Sequence, residues 1–404
     1  MNVLFLSPNY PPEMHEYTRG LAEVGARVYG VGDSPAGGLA PKVRDALTDY
    51  LQVPRIMDEA DVAERTHAWL RGKEIDRVES QWEPLVLLAA RLRERFGLPG
   101  MSVDTVMGFR DKATMKDALR AAGLPCARHR ILKSEEDGWS FARESGLPLV
   151  MKPLAGAGCR ATWRIESPDD LRSALAATRP SPERPVLAEE FIRGDEYSFE
   201  TLCIGGHPLF HSISRYFPGP LEVTRTPWIQ WCVVLPREIG GPEFDAARAA
   251  GLRAVGALGM SSGLTHMEWF RRPDGSVAIG EIAARPPGAN IVKLTGLAHD
   301  TDLYRAWARA TVDEAFDGPW ERKFSTGCAY LRGPGQGRVV SVDGLDEAQR
   351  AVGHLVVHTS LPKIGAPKRD TYEGDGYAIV RHPDTNVVKA ALKTIVETVV
   401  VRYA

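Results

Sequence analysis

Residues 263 to 285 hold two apolar stretches, "GLTHMEWF" and "SVAIGEIAA", separated by "RRPDG". An Asp-Gly pair in such a place is a strong tight-turn signal, because both central positions of the turn need a positive φ that aspartate and glycine tolerate. The segment therefore predicts an antiparallel hairpin centred on Asp274-Gly275, with Glu268 directly opposite Glu281. Strand alternation then gathers His266, Glu268, Ile279, Glu281, Ala283 and Arg285 on one face. A three-residue loop would instead shift the pairing by one. Like charges directly opposed on a sheet destabilise it unless a proton or a cation is shared between them. The apolar surroundings point to a divalent ion on hard carboxylate oxygens, magnesium first and manganese second. Arg285 ends the same face, where its planar fork suits a phosphoryl group or a carboxylate. A solvent-facing hairpin with idle charges is the competing expectation.

Composition excludes several other functions. Lys and Arg total 50 against 52 Asp and Glu among 404 residues, so no basic field exists to gather nucleic acid or an anionic membrane. The start, "MNVLFLSPNYPP", has no basic lead-in and meets Pro11 and Pro12 too early for a signal peptide. No stretch is apolar for long enough to span a bilayer. Cys126, Cys159, Cys203, Cys232 and Cys328 are scattered, odd in number and without a C-x-x-C pair, which predicts reduced thiols in a cytoplasmic protein.

The first hundred residues alternate short apolar runs, "VLFL" and "RVYGVG", with amphipathic stretches such as "EPLVLLAARLRERFG". That is βαβ grammar and predicts a parallel sheet. "GLPGMSVDTVMGF" reads as a linker, and beyond it the texture turns to α+β: strands "ARHRIL", "LPLVMKP" and "PVLAEEFI", helices "EEDGWSFARESG" and "SPDDLRSALAAT", and a hairpin turning at Gly205-Gly206. Ser167 before Pro168 predicts a helix start. The residues after about Pro319 read as a small α+β appendage.

Several fragments suit a nucleotide. Lys152 ends an apolar strand and is followed by a turn containing Gly156 and Gly158, which lets backbone N–H groups close on phosphate oxygens beside a mobile positive charge. Lys112 and Lys116 fit equally well as one helix's solvated face. "VLAEEFIRGDEYSFE" offers Glu189, Glu190, Phe191, Ile192 and Glu196 around a bend at Gly194.

The order of these parts, a lysine, a lysine with a glycine loop, an acidic hinge, then an acid-pair hairpin with an arginine, resembles the ATP-grasp superfamily. The resemblance implies a Rossmann-like leading domain (1–108), a small lid lobe with its leading helix (109–190), a large lobe with the metal site (191–318) and an α+β carboxy-terminal subdomain (319–404). It further implies that Lys112 and Lys152 contact the phosphates and base of ATP, that Gly156 and Gly158 belong to the lid, and that Glu189 through Ile192 line the adenine. Glu196 would hold the ribose, Glu268 and Glu281 the magnesium, and Arg285 would lie near the transferred phosphoryl group, with Arg285 and Lys152 as the catalytic cations. Where many members place an asparagine ligand this chain has Ala283, and "EIAARP" is similar to the matching segment of carboxyaminoimidazole ribonucleotide synthases. The implied activity is an ATP-dependent carboxylate–amine ligase acting on small-molecule acids and amines, amino acids or short peptides, with a homodimer as the assembly to test for. Arg215, Arg225, Trp228 and His266 are the candidates for substrate contact, although Trp228 also fits core packing and His266 a structural role. The alternatives are a carboxylase using bicarbonate and a catalytically silent ATP-binding sensor.

Overall fold

The apolar run Val3–Leu6 is fully buried, with Val3 and Phe5 in one apolar cluster and Leu4 and Leu6 in another. A strand covered on both faces reads as continuous apolar sequence, which is why this one does. It lies within β1 (Asn2–Leu6), which pairs in parallel with β2 (Arg27–Gly32) and β4 (Arg77–Glu79), while β2 pairs with β3 (Leu47–Gln52). The order β3-β2-β1-β4 is the parallel sheet expected of this part. The computed structural model describes residues 1–154, 162–226, 228–369, 371 and 373–404; Gly156, Gly158 and Cys159 lie outside the described residues.

The expected linker is a helix, Val103–Arg110, started by the Ser102 hydroxyl accepting from the Thr105 amide at 3.1 Å. Val106 packs it onto Val86 and Ala90, so a domain boundary at 108 falls inside a helix. Beyond it, where a lid lobe is expected, lies an antiparallel sheet of β5 (His129–Leu132), β6 (Leu149–Lys152), β7 (Trp163–Ile165) and β8 (Val186–Glu190), in the order β5-β8-β6-β7. Its helices, Glu135–Ser145 and Pro168–Thr178, bury Phe141, Leu171 and Leu175 against it. Ser167 caps the second of these in a reciprocal capping box with Asp170.

The large lobe is built on β9 (Asp195–Ile204), β10 (His207–Phe217), β11 (Trp231–Leu235), β12 (Gly263–Arg271), β13 (Val277–Ala283) and β14 (Ser325–Leu331). The remaining strands are β15 (Val339–Asp343), β16 (Val356–Ser360), β17 (Gly376–His382) and β18 (Val400–Tyr403). One eight-stranded sheet runs β13-β12-β9-β10-β11-β14-β17-β16, and β15 pairs with β18 apart. The residues expected as an appendage after 319 thus continue the large lobe's own sheet.

The acidic hairpin differs from the simplest expectation in a way that restores it. The Arg272 amide donates to the Ser276 carbonyl at 2.8 Å, so the loop holds three residues, Pro273 to Gly275. Beside it Trp269 faces Ile279, the anticipated shift by one. A bulge then admits Gly280 as an extra residue, and Glu268 faces Glu281 after all, with His266 opposite Ala283. Because each single-residue offset flips the face, Ile279 does not share the acids' face as expected; it packs with Met267, Trp269 and Ile282 in the core.

Candidate active site

Helix Lys112–Ala121 begins where Asp111 accepts from the Thr114 amide at 2.8 Å. Its leading amide donates to the carbonyl of Leu154, just past β6, at 3.1 Å. Lys112 and Lys116, one turn apart, do not form a solvated face: both are buried, Lys116 completely. The Lys116 ammonium lies 2.6 Å from the Gly280 carbonyl in the bulge and 3.3 Å from Glu189 on β8. Lys112 lies 3.3 Å from Glu281. Lys152, at the end of β6, is 2.9 Å from Glu189 and 3.8 Å from Glu281. One helix and β6 therefore bring three lysines onto two carboxylates, carried by β8 and β13.

The charges set one another's protonation. Burial alone would raise the Glu281 carboxyl, yet Lys112, Lys152 and Lys116 outweigh it and hold it at about 2. Burial is likewise outweighed at Glu189, which Lys116 and Lys152 keep below the usual carboxylate range. Burial would lower Lys152, but Glu189 and Glu281 hold it above the ordinary lysine value. For Lys116 burial wins and the ammonium is pulled below that value, with Glu189 only partly opposing. Glu196 stands opposite Phe270 on β9; burial, then the charges of Glu268 and Glu281, push it well above its ordinary value. His266 Nδ1–H donates to the Glu200 carboxylate at 2.9 Å, and the ring stands 3.8 Å from Glu268. Burial would lower its imidazole, but the two carboxylates lift it to about 9.

Beside them lies a cleft of about 890 Å³, within the range of small-molecule and cofactor sites. Lys112, Lys152, Glu189 through Ile192, Glu196, Arg215, Arg225, His266, Glu268, Glu281 and Arg285 all line it. Trp228 does not: it is 60% exposed, neither core nor wall. The tryptophan that does serve is Trp231, buried in the wall with its indole N–H donating to the Pro218 carbonyl at 3.0 Å. The Glu189 carboxylate lies between Lys116 at 3.3 Å and Lys152 at 2.9 Å. Glu190 turns its carboxylate to Arg128 at 2.7 Å and Arg272 at 3.3 Å. The Arg164 guanidinium covers the Phe191 ring at 4.4 Å, and Ile192 packs with Ala127 and Ala278. Arg215 pairs with Asp195 at 2.7 Å and lies over the Phe217 ring at 4.6 Å.

Arg285 reaches the cleft wall with its Nε paired to Glu83, which also pairs with Arg110, and its Nη1 donates to the Pro286 carbonyl at 2.7 Å. Burial would raise the Glu83 carboxyl, but the two arginines keep it below its ordinary value. Sequence reasoning missed Glu83 and Arg110, because nothing local marks residues that meet across 202 positions. It also underused Lys116, whose signal was its spacing of one helical turn from Lys112.

The donor set fits magnesium and a nucleotide. Glu268 and Glu281 present hard oxygens at the cleft, each about a quarter exposed. A magnesium ion is commonly held by one or two carboxylates and takes its other ligands from water and phosphate oxygens.

The fold is the ATP-grasp fold. Residues 117–297 match the ATP-grasp domain, and the chain is similar to carboxylate–amine ligases. It is similar to the uncharacterized protein y4rH of Sinorhizobium fredii, 26% identical over 372 residues, which covers 88% of this chain and 75% of that protein. It is also similar to the L-arginine-specific L-amino acid ligase of Bacillus subtilis, 27% identical over 242 residues. That match takes in 59% of this chain and 58% of the relative, so the chain spans little over half the length of this named ligase. Its fold is that of the L-amino acid ligase of Bacillus licheniformis, with a TM-score of 0.79 at 20% identity, covering 100% of this chain and 98% of that one. No helix among the described residues is long and apolar enough to cross a membrane.

Proposed function

We propose that this chain joins a carboxylate to an amine at the expense of ATP, by way of an acylphosphate, releasing ADP and phosphate. The observation that carries the reading is the convergence of Lys112, Lys152, Glu268, Glu281 and Arg285 on one cleft from four separate segments. Lys112 and Lys152 would neutralise ATP phosphates, and Glu268 with Glu281 would hold magnesium, manganese serving in its place. The ion, when bound, supplies charge neutralisation at the phosphoryl group being transferred. The chain's own part is electrostatic and positional: the lysines are held by Glu189 and Glu281, and Glu83 holds Arg285 at the cleft wall, where it would meet the substrate carboxylate. Glu189 to Ile192 would line the adenine and Glu196 the ribose. Arg215 and Arg225 would receive the substrate from the far wall.

The relatives named for amino acid ligation support amino acids or short peptides as substrates. The test is a screen of amino acids, dipeptides and small carboxylates for stimulated phosphate release, with mass spectrometry of the products. Amide products are expected; ATP binding without stimulated release by any acid would refute the reading and leave a silent sensor. Ala283, which supplies no third ligand beside the acids, favours a second reading with bicarbonate as the acid, and bicarbonate-dependent phosphate release without an amino acid would select it.

A further inference from the structure

Between β10 and β11 the chain runs along the cleft wall as Pro218, Gly219 and Pro220. This short loop is fixed at both ends. The Pro218 carbonyl accepts from the buried Trp231 indole at 3.0 Å. The Gly219 carbonyl accepts from the amides of Glu222 and Val223 at 3.1 and 3.3 Å, and Val223 is fully buried. Gly219 itself has φ −63° and ψ 151°, a conformation open to every residue and the one preferred before a proline. Backbone freedom is therefore not what a glycine supplies here.

What it supplies is room. A methyl group on Gly219 would overlap Oε2 of Glu196 and lie 3.5 Å from that residue's carboxyl carbon and 3.7 Å from its Cβ. These three nearest atoms all belong to Glu196, so the Glu196 side chain lies along this one backbone position. The pairing of β9 with β12 sets Glu196 opposite Phe270, and Gly219 leaves the space into which its carboxyl group turns. Both residues line the cleft. The overlap is with the far end of a flexible side chain and not with backbone. A methyl at 219 therefore moves the carboxyl group to another rotamer at small cost to the fold.

We propose that Gly219 is the positioning residue for Glu196, and that its missing side chain sets the discrimination between ribonucleotides and deoxyribonucleotides. The inference rests on the ribose contact assigned to Glu196 above. A carboxyl group has two oxygens with which to meet two adjacent hydroxyls, and its orientation decides whether both are reached. A site built to hydrogen-bond a hydroxyl rejects the analogue that lacks it, because the buried polar group is left unpaired. Turning the carboxyl group away from the loop removes that discrimination without removing the group.

Calorimetry on the full chain with magnesium, and with no second substrate, measures the affinity for ATP, 2′-deoxy-ATP and 3′-deoxy-ATP. The readout is the ratio of each deoxynucleotide's Kd to that of ATP, which a loss of folded protein or of phosphate affinity leaves unchanged. In the wild type the ratio is expected to reach about tenfold for at least one analogue, the cost of one buried group left unpaired. Gly219→Ala and Glu196→Gln should each bring it to within about twofold of unity, and the two together should do no more than Glu196→Gln alone. Glu196→Ala removes the overlapping atoms, so adding Gly219→Ala to it should leave its melting temperature unchanged; a further fall would show that the glycine serves the loop and would overturn the inference. A wild-type ratio in Gly219→Ala beside a lowered one in Glu196→Gln would also overturn the role of Gly219, and would leave the ribose contact standing. A wild-type ratio in Glu196→Gln, or no discrimination by the wild type, would overturn the ribose contact and the inference with it.

Discussion

Replacing Lys116 by methionine, which keeps the volume and removes the charge, tests whether the lysine cluster is a paired structure or a set of neighbours. The ammonium is fully buried with two partners, the Gly280 carbonyl at 2.6 Å and Glu189 at 3.3 Å. Removing one member of a buried charge pair costs about 3–5 kcal/mol, because the other charge is left uncompensated. Here Glu189 keeps Lys152 at 2.9 Å, which places the expected loss at the lower end, about 3 kcal/mol. At about 2–4 °C per kcal/mol for a lobe of this size, the melting temperature should fall by about 6–12 °C. Near-ultraviolet circular dichroism without nucleotide is the assay, and adding Glu189→Gln should return part of the loss. A single variant that melts within about 2 °C of the wild type would refute the reasoning, since it would mean that the buried ammonium contributes nothing its apolar isostere does not.

Glu281→Gln should abolish substrate-stimulated turnover while leaving the circular dichroism spectrum unchanged; retained turnover would remove Glu281 from the metal site. Lys152→Ala should weaken ATP binding at least about tenfold, the scale of one charge-assisted hydrogen bond, and unchanged affinity in calorimetry would remove Lys152 from the nucleotide contacts. Glu13 should leave a trace in stability against pH. Its folded carboxyl, lifted by burial to about 7, lies above the ordinary value near 4.5, so the folded chain binds that proton more tightly than the unfolded one. The stability it contributes is complete below about 4.5, falls as the pH rises and is gone above about 7. Glu13→Gln should flatten the decline in melting temperature across that window, and a slope identical to the wild type's would show that the folded chain does not raise the Glu13 carboxyl.

Much of the site was legible because strand and turn chemistry are local. The Asp274-Gly275 signal located a hairpin and "VLFL" a buried parallel strand, each from residues adjacent in the chain. The opposition of Glu268 and Glu281 was reached with the loop one residue too short and without the bulge; the two offsets cancel, and only Ile279, between them, betrays the difference. The helix Val103–Arg110 passed for a linker because Gly97, Pro99 and Gly100 precede it, while Ser102, the cap that starts it, is a weaker signal.

The sequence by itself determined the ladder of acids and bases along the chain, the hairpin that pairs two of them and the class of ligand they suit. Which charges neutralise which was decided only in three dimensions. Helix Lys112–Ala121 must dock on the bulge at Gly280 before Lys116 can meet Glu189, and the leading domain must close on the large lobe before Glu83 can hold Arg285. The reason is that electrostatic pairing depends on distance through space and on exclusion of water, and both are properties of packed surfaces that no local run of residues contains.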